Sequence, residues 1–103
     1  MQLQRFRGDT QGQALILRRN GANVDLDELA RVEFTFLRSE VPIILTCVRD
    51  PDPTTGRVTI PFTEDSVSTA GFFPYDVQAV YTDGTKLTFI QSVLELMPDI
   101  NPT

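Results

Sequence analysis

Fourteen carboxylates and no histidine set the chemistry open to this chain. Asp50 and Asp52, with Asp76 or Asp83 folded beside them, offer the hard oxygen ligands that calcium takes. Their spacing lacks the glycine and terminal glutamate of a calcium loop, and pairs such as Asp50-Pro51 and Asp52-Pro53 are ordinary turn formers. Glycoside cleavage needs two converging acids, and no two of these are singled out by position. Ser39, Ser66, Ser68 and Ser92 have no glycine-flanked elbow to activate a hydroxyl, since Gly71 stands too far away. Without histidine there is no histidine triad, imidazole metal site or imidazole pH switch within the chain. Glycine motifs that cradle phosphates or dinucleotides are absent as well.

The remaining short signals read as structure. Cys47 lies within the apolar run Val41 to Val48, where a small buried hydrophobe is expected, and a single cysteine closes no internal disulfide. Arg7-Gly8-Asp9 spells an adhesion tripeptide, but a glycine between charged residues is what a turn between strands needs. Sugar platforms favour tryptophan, of which there is none. Tyr75 and Tyr81 share the inward parity of one strand and are expected in the core. The expectation is a protein that is not an enzyme, with no cofactor, no metal and no small-molecule substrate.

The elements that would hold any such residues are strands. Phe73, Tyr75, Val77, Ala79 and Tyr81 alternate with period two, which only an extended strand places on one face, and Asp83-Gly84 then turns the chain into Leu87 and Phe89. The same alternation predicts strands over Leu3 to Arg7, Gln13 to Arg18, Val32 to Leu37, Ile43 to Val48, Arg57 to Phe62, Phe73 to Tyr81, and Lys86 to about Leu96. Breaks fall at Arg7-Gly8-Asp9, Asn20-Gly21, the segment Asp50 to Gly56, Ala70-Gly71 and Asp83-Gly84. Two short helical turns are expected. Asp25 would cap Leu26 to Ala30 with Glu28 as its capping-box partner, and Thr63 would cap Glu64 to Thr69; Leu26 and Val67 would tuck toward the core.

Seven short strands at regular spacing imply an all-β fold, an immunoglobulin-like antiparallel β-sandwich forming a single domain over residues 1–103. A chain of this length buries roughly 60% or more of its unfolded surface and needs no staple. Net charge is −5, and eight arginines and one lysine are scattered without forming a stripe. That disfavours nucleic acid, whose affinity depends on concentrated positive charge. The apolar runs are far shorter than the about 18 residues of a membrane span, and Met1 to Arg5 lacks a signal-peptide core, so a soluble protein made in the cytosol is expected.

Parity also names a surface. With Val32, Phe34, Phe36, Val58, Ile60, Phe62, Phe73, Tyr75, Val77, Leu87 and Phe89 facing inward, and Leu15 and Leu17 joining them, Ile44, Val48, Phe72, Val80 and Ile90 turn outward. Isolated exposed hydrophobes are ordinary, but a group of them marks a contact. Ile44, Val48, Phe72 and Val80 form the candidate interface, with Arg18, Arg38 and Arg49 as its polar rim.

Three stretches resemble a known family. They are Leu3 to Thr10; Asn20-Gly21-Ala22-Asn23-Val24-Asp25-Leu26; and Gly56 to Thr63, followed by Ala70-Gly71 and Tyr75-Asp76-Val77-Gln78 leading to Thr82-Asp83-Gly84. Together they resemble small bacteriophage virion proteins similar to the immunoglobulin-like N-terminal domain of the phage baseplate upper protein. The resemblance implies a structural part of a virion without saying which part; the expected role is an assembly module associated with tail or baseplate, whose partners are other virion proteins and copies of itself. A capsid decoration protein or head fibre, stabilising the head or weakly binding host glycans, is the alternative it leaves open.

Overall fold

The computed structural model describes residues 2–8 and 10–98. Among these residues ten strands follow one another: β1 (Leu3–Phe6), β2 (Gln13–Ile16), β3 (Arg18–Arg19), β4 (Ala22–Asn23), β5 (Leu29–Arg38), β6 (Val41–Thr46), β7 (Val48–Arg49), β8 (Arg57–Ile60), β9 (Gly71–Tyr81) and β10 (Lys86–Met97). Five form one sheet in the order β1-β10-β9-β5-β6, three form a second in the order β2-β8-β7, and β3 and β4 make a separate hairpin. With that hairpin set aside, the strands read A, B, C, C′, D, E, F and G along the chain, in sheets A-G-F-C-C′ and B-E-D. This is the immunoglobulin-like sandwich, with its first strand on the larger sheet.

Alternation builds the core as expected. Val32, Phe34 and Phe36 of β5, Val58 and Ile60 of β8, and Phe73, Tyr75 and Val77 of β9 are buried in one cluster with Leu15, Leu17 and Phe62. Leu26 and Val67, from the two crossings, are buried there too. Phe34 is the hub: its ring lies 4.9 Å from Tyr75, 5.7 Å from Phe62 and 6.0 Å from Phe36. Separations and tilts of this kind suit aromatic quadrupoles.

The differences from the period-two reading have local causes. The run Ile43 to Val48 is two strands, because the chain passes from the larger sheet to the smaller at Cys47, whose N–H still reaches the Val32 carbonyl at 2.8 Å. The Gln13 to Arg18 strand also divides: Leu17 leaves the β2–β8 ladder to donate to the Gly56 carbonyl, and Arg18 starts the hairpin whose turn is Asn20-Gly21. Gly56 is required there. Its φ is 66°, and a Cβ would sit 2.6 Å from the Leu17 carbonyl oxygen.

Not every pairing is antiparallel, since β1 runs parallel to β10. The Leu26 to Ala30 turn closes as a single 3-10 turn over Leu26–Glu28, capped by the Asp25 carboxylate on the Asp27 N–H, because Leu29 already belongs to β5. Thr63 and Ser66 cap each other across the second crossing, N–H to hydroxyl in both directions. A further 3-10 turn, Pro53–Thr55, occupies the segment Asp50 to Gly56. Of the Arg7-Gly8-Asp9 turn, Asp9 lies outside the described residues, while Gly8 donates to the Val67 carbonyl at 2.9 Å.

Two parity errors trace to bulges and cover. The β9–β10 register shifts between Thr88 and Ile90, so Ile90 turns toward the core, half-buried against it, and Leu94 and Leu96 follow on the same side. Leu87, paired with buried Ala79 ahead of the shift, and Phe89, within it, are half-buried. Val80, expected outside, is 7% exposed. It lies in register between Arg31 and Lys86 on the neighbouring strands, and long side chains of this kind cover apolar neighbours with their aliphatic stems.

The β5–β6 hairpin turns on Ser39 and Glu40, both at positive φ (51° and 66°), where Asn-Gly is the preferred pair. Replacing them by Asn and Gly is expected to stabilise the fold by about 1 kcal/mol, seen as a rise of several degrees in Tm. An unchanged or lower Tm would show that the two side chains make compensating contacts.

Candidate functional site

The outer face of the five-stranded sheet carries the concentrated exposed apolar surface. Register places Ile44, Thr35, Asp76 and Gln91 in one row across β6, β5, β9 and β10. Pro42 pairs with Leu37 and Pro74 with Val93 in the next row, and Phe72 with Glu95, itself beside Gln4 of β1, in the one after. Phe72 is 68% exposed, Ile44 56% and Leu37 45%. Pro42, Pro74 and Val93 are exposed between them. Beside this apolar band lies a shallow depression of about 320 Å³, lined by Thr35, Leu37, Pro74, Asp76 and Gln91 among others.

The seven residues nominated from sequence do not form one surface. Ile44 and Phe72 share this face. Val48, 60% exposed, belongs to the smaller sheet, beside Thr59, on the opposite side of the sandwich, because the chain changes sheets at Cys47. Val80 is buried and leaves the surface altogether.

The arginines are placed differently from a common rim. Arg38 donates to the Asp65 carbonyl at 2.7 Å and stands 3.6 Å from its carboxylate, clipping the end of β5 to the 64–68 turn. Arg49 donates to the Leu29 carbonyl at 2.5 Å and the Leu26 carbonyl at 3.4 Å, satisfying backbone acceptors around the first 3-10 turn. Arg18 is exposed on the β3–β4 hairpin, beside Asn23. Leu37, Pro74 and Val93 were not nominated. Leu37 was visible in principle as the outward neighbour of Phe36, whereas the side on which Val93 falls is set by the β10 bulge.

The acids serve turns. Asp50 accepts from the Asp52 N–H at 2.8 Å, Asp52 from the N–H and hydroxyl of Thr54 at 3.0 and 2.7 Å, and Asp83 from the Thr85 N–H at 2.8 Å. Bonds to Thr54 and Thr85 hold the Asp52 and Asp83 carboxyls below their ordinary values. Among the described residues, no three acidic or thiol side chains gather into a metal-binding set. Nor is any helix among them long and apolar enough to cross a membrane.

Tyr75 is buried as expected, and Tyr81 is half-buried at the edge of a polar cleft of about 350 Å³ under the β3–β4 hairpin. Arg19 lies 5.8 Å from the Tyr81 ring centroid and 3.5 Å from its hydroxyl. The cleft mixes Arg19 with Asp25 and Glu28, so its charges answer one another and leave no single-sign field for an ionic ligand.

Arg5 was missed. Parity on β1 turns it inward beside Leu3, where it is 8% exposed, with its guanidinium 4.4 Å above the Phe62 ring and donating to the Gln11 carbonyl. It links β1 of the larger sheet to Phe62, which follows β8 of the smaller. No family model and no curated protein matches the chain.

Two measurements test these environments. Arg5→Ala is expected to destabilise the fold by about 2–3 kcal/mol in urea unfolding, and Arg5→Lys to recover only part, because a lysine cannot stack flat on Phe62. Burial pushes the Cys47 thiol from its ordinary 9.0 up to about 12. The folded chain therefore keeps a proton there that the unfolded chain loses first. That stability is full below pH 9 and falls as pH rises toward about 12. Cys47→Ala should remove about 1.4 kcal/mol of the loss at pH 10, measured against wild type so that Tyr75, also pushed up by burial, cancels.

Proposed function

We propose that this chain is a non-enzymatic bacteriophage structural protein, an immunoglobulin-like assembly module associated with the tail or baseplate and acting through protein–protein contacts. One observation carries the reading: the outer face of the larger sheet gathers Ile44, Leu37, Phe72 and Val93 into one exposed band. Apolar exposure grouped in this way characterises docking surfaces more than isolated surface residues. The sequence resemblance to phage virion proteins supplies the setting.

Mechanistically, the module contributes shape. The core is dense with aromatic and branched side chains, and the face above it is floored by β9, the central strand of the sheet, and β5 beside it. A partner would desolvate the apolar band, while polar side chains such as Gln4, Glu95 and Gln91 form a wetted margin. The partners are other virion proteins and copies of the chain itself, and the location is the particle.

Electron microscopy of purified particles tests position, with density for this fold expected on the tail or baseplate. Density on the capsid shell would favour the decoration reading, and absence from particles would overturn both. Ile44→Asp, introduced into the phage, should lower incorporation by about 10-fold or more while the purified variant keeps its unfolding midpoint. Wild-type incorporation of that variant would exclude this face.

A further inference from the structure

We infer that the outer face of the larger sheet pairs with the same face of a second copy of this chain, each copy inserting Phe72 into the depression of the other; this rests on reading that face as a docking surface. Phe72 is the most exposed large apolar side chain among the described residues, at 68%. The depression lined by Thr35, Leu37, Pro74, Asp76 and Gln91 lies on the same face of the same sheet. Knob and hole are carried by one strand. Phe72 and Asp76 are four residues apart on β9, on one side of it, a separation of about 13 Å.

That spacing is self-complementary. A two-fold axis in the plane of the contact, crossing β9 at Pro74, exchanges the level of residue 72 with that of residue 76. Each Phe72 then meets the partner's depression, and the contact closes as a dimer without leaving an unpaired knob. The single row on the axis, in which Pro42 pairs with Leu37 and Pro74 with Val93, holds no charged side chain to repel its own copy.

The area is adequate. Six side chains, Leu37, Pro42, Ile44, Phe72, Pro74 and Val93, expose apolar surface on the order of 500 Å², at the upper range for the largest patch of a monomer. With the polar row added, the face approaches the roughly 800 Å² per partner of a standard stable interface.

Sedimentation equilibrium of the full chain is the test, with thermal unfolding of each variant to show that it is folded. The wild type is expected to dimerise, and Phe72→Arg and Val93→Arg each to weaken dimerisation at least about 30-fold. Val48→Asp, on the opposite sheet, is expected to leave it unchanged. A wild type that stays monomeric to sub-millimolar concentration, an arginine variant that dimerises normally, or a Val48→Asp that disrupts equally would overturn the inference. A monomer whose entry into particles still depends on Ile44 would assign the face to a different virion protein, ending this inference but sparing the proposed function. A Phe72-dependent dimer absent from particles would do the reverse.

Discussion

The fold depends on Phe34. It stands at the centre of β5, fully buried, and its ring meets Tyr75 from the same sheet and Phe62 from the chain just beyond the smaller one. Sheets pack about 10 Å apart, and one large planar side chain in edge and offset contact fills much of that gap while leaving little rotational freedom to lose. Arg5 extends the same layer, since its guanidinium lies 4.4 Å from the centre of the Phe62 ring.

Because the interior takes Phe34 and Phe36 of β5 and Phe73 and Tyr75 of β9 on one side, what remains on the other side of those strands is functionally free. The inner side is constrained by close packing and cannot vary by a methylene without a cost. The outer side is polar at the Arg31, Glu33 and Thr88 end, where Arg31 and Glu33 lie 3.3 Å apart, and apolar around Leu37, Pro74 and Phe72. Solubility alone does not call for that gradient. Pro74 adds to it: the β5–β9 ladder ends at Phe36 and Tyr75, one residue before a position with no N–H to donate, so β5 parts from β9 where the depression begins.

Period-two alternation carried most of the architecture, because a strand buried on one side must repeat it. The reading of β5, β8 and most of β9 from Val32 to Val77 survives unchanged. It fails where the chain departs from a flat ladder, and each failure has a cause that parity does not encode. The bulge near Thr88 inverts the second half of β10. The crossing at Cys47 puts Val48 and Ile44 on opposite sides of the molecule although they are four residues apart. Val80 keeps its outward parity and loses exposure to neighbours on other strands. The arginines Arg38 and Arg49 are committed to backbone carbonyls that sequence cannot bring near them. Ser39-Glu40 gave no turn signal, since neither residue favours positive φ, and the hairpin holds them there through the pairing of β5 with β6.

The edges of the larger sheet explain why a contact would use its face. Strand addition needs a long, flat edge with free N–H and C=O groups. The β6 edge is interrupted by Pro42. With Arg38 and Val41 closing a two-residue loop as a hydrogen-bonded pair, the alternation of antiparallel pairs puts the Pro42 nitrogen on the free side, where it offers no donor. The other edge, β1, is only four residues long, and the smaller sheet ends in β2 of four residues and β7 of two. Short or proline-broken edges suppress main-chain pairing between copies, so association driven by this chain falls to side chains. Of the two outer faces, the larger sheet's holds a protruding aromatic and a depression within one strand's reach of each other, and a self-complementary pairing requires both.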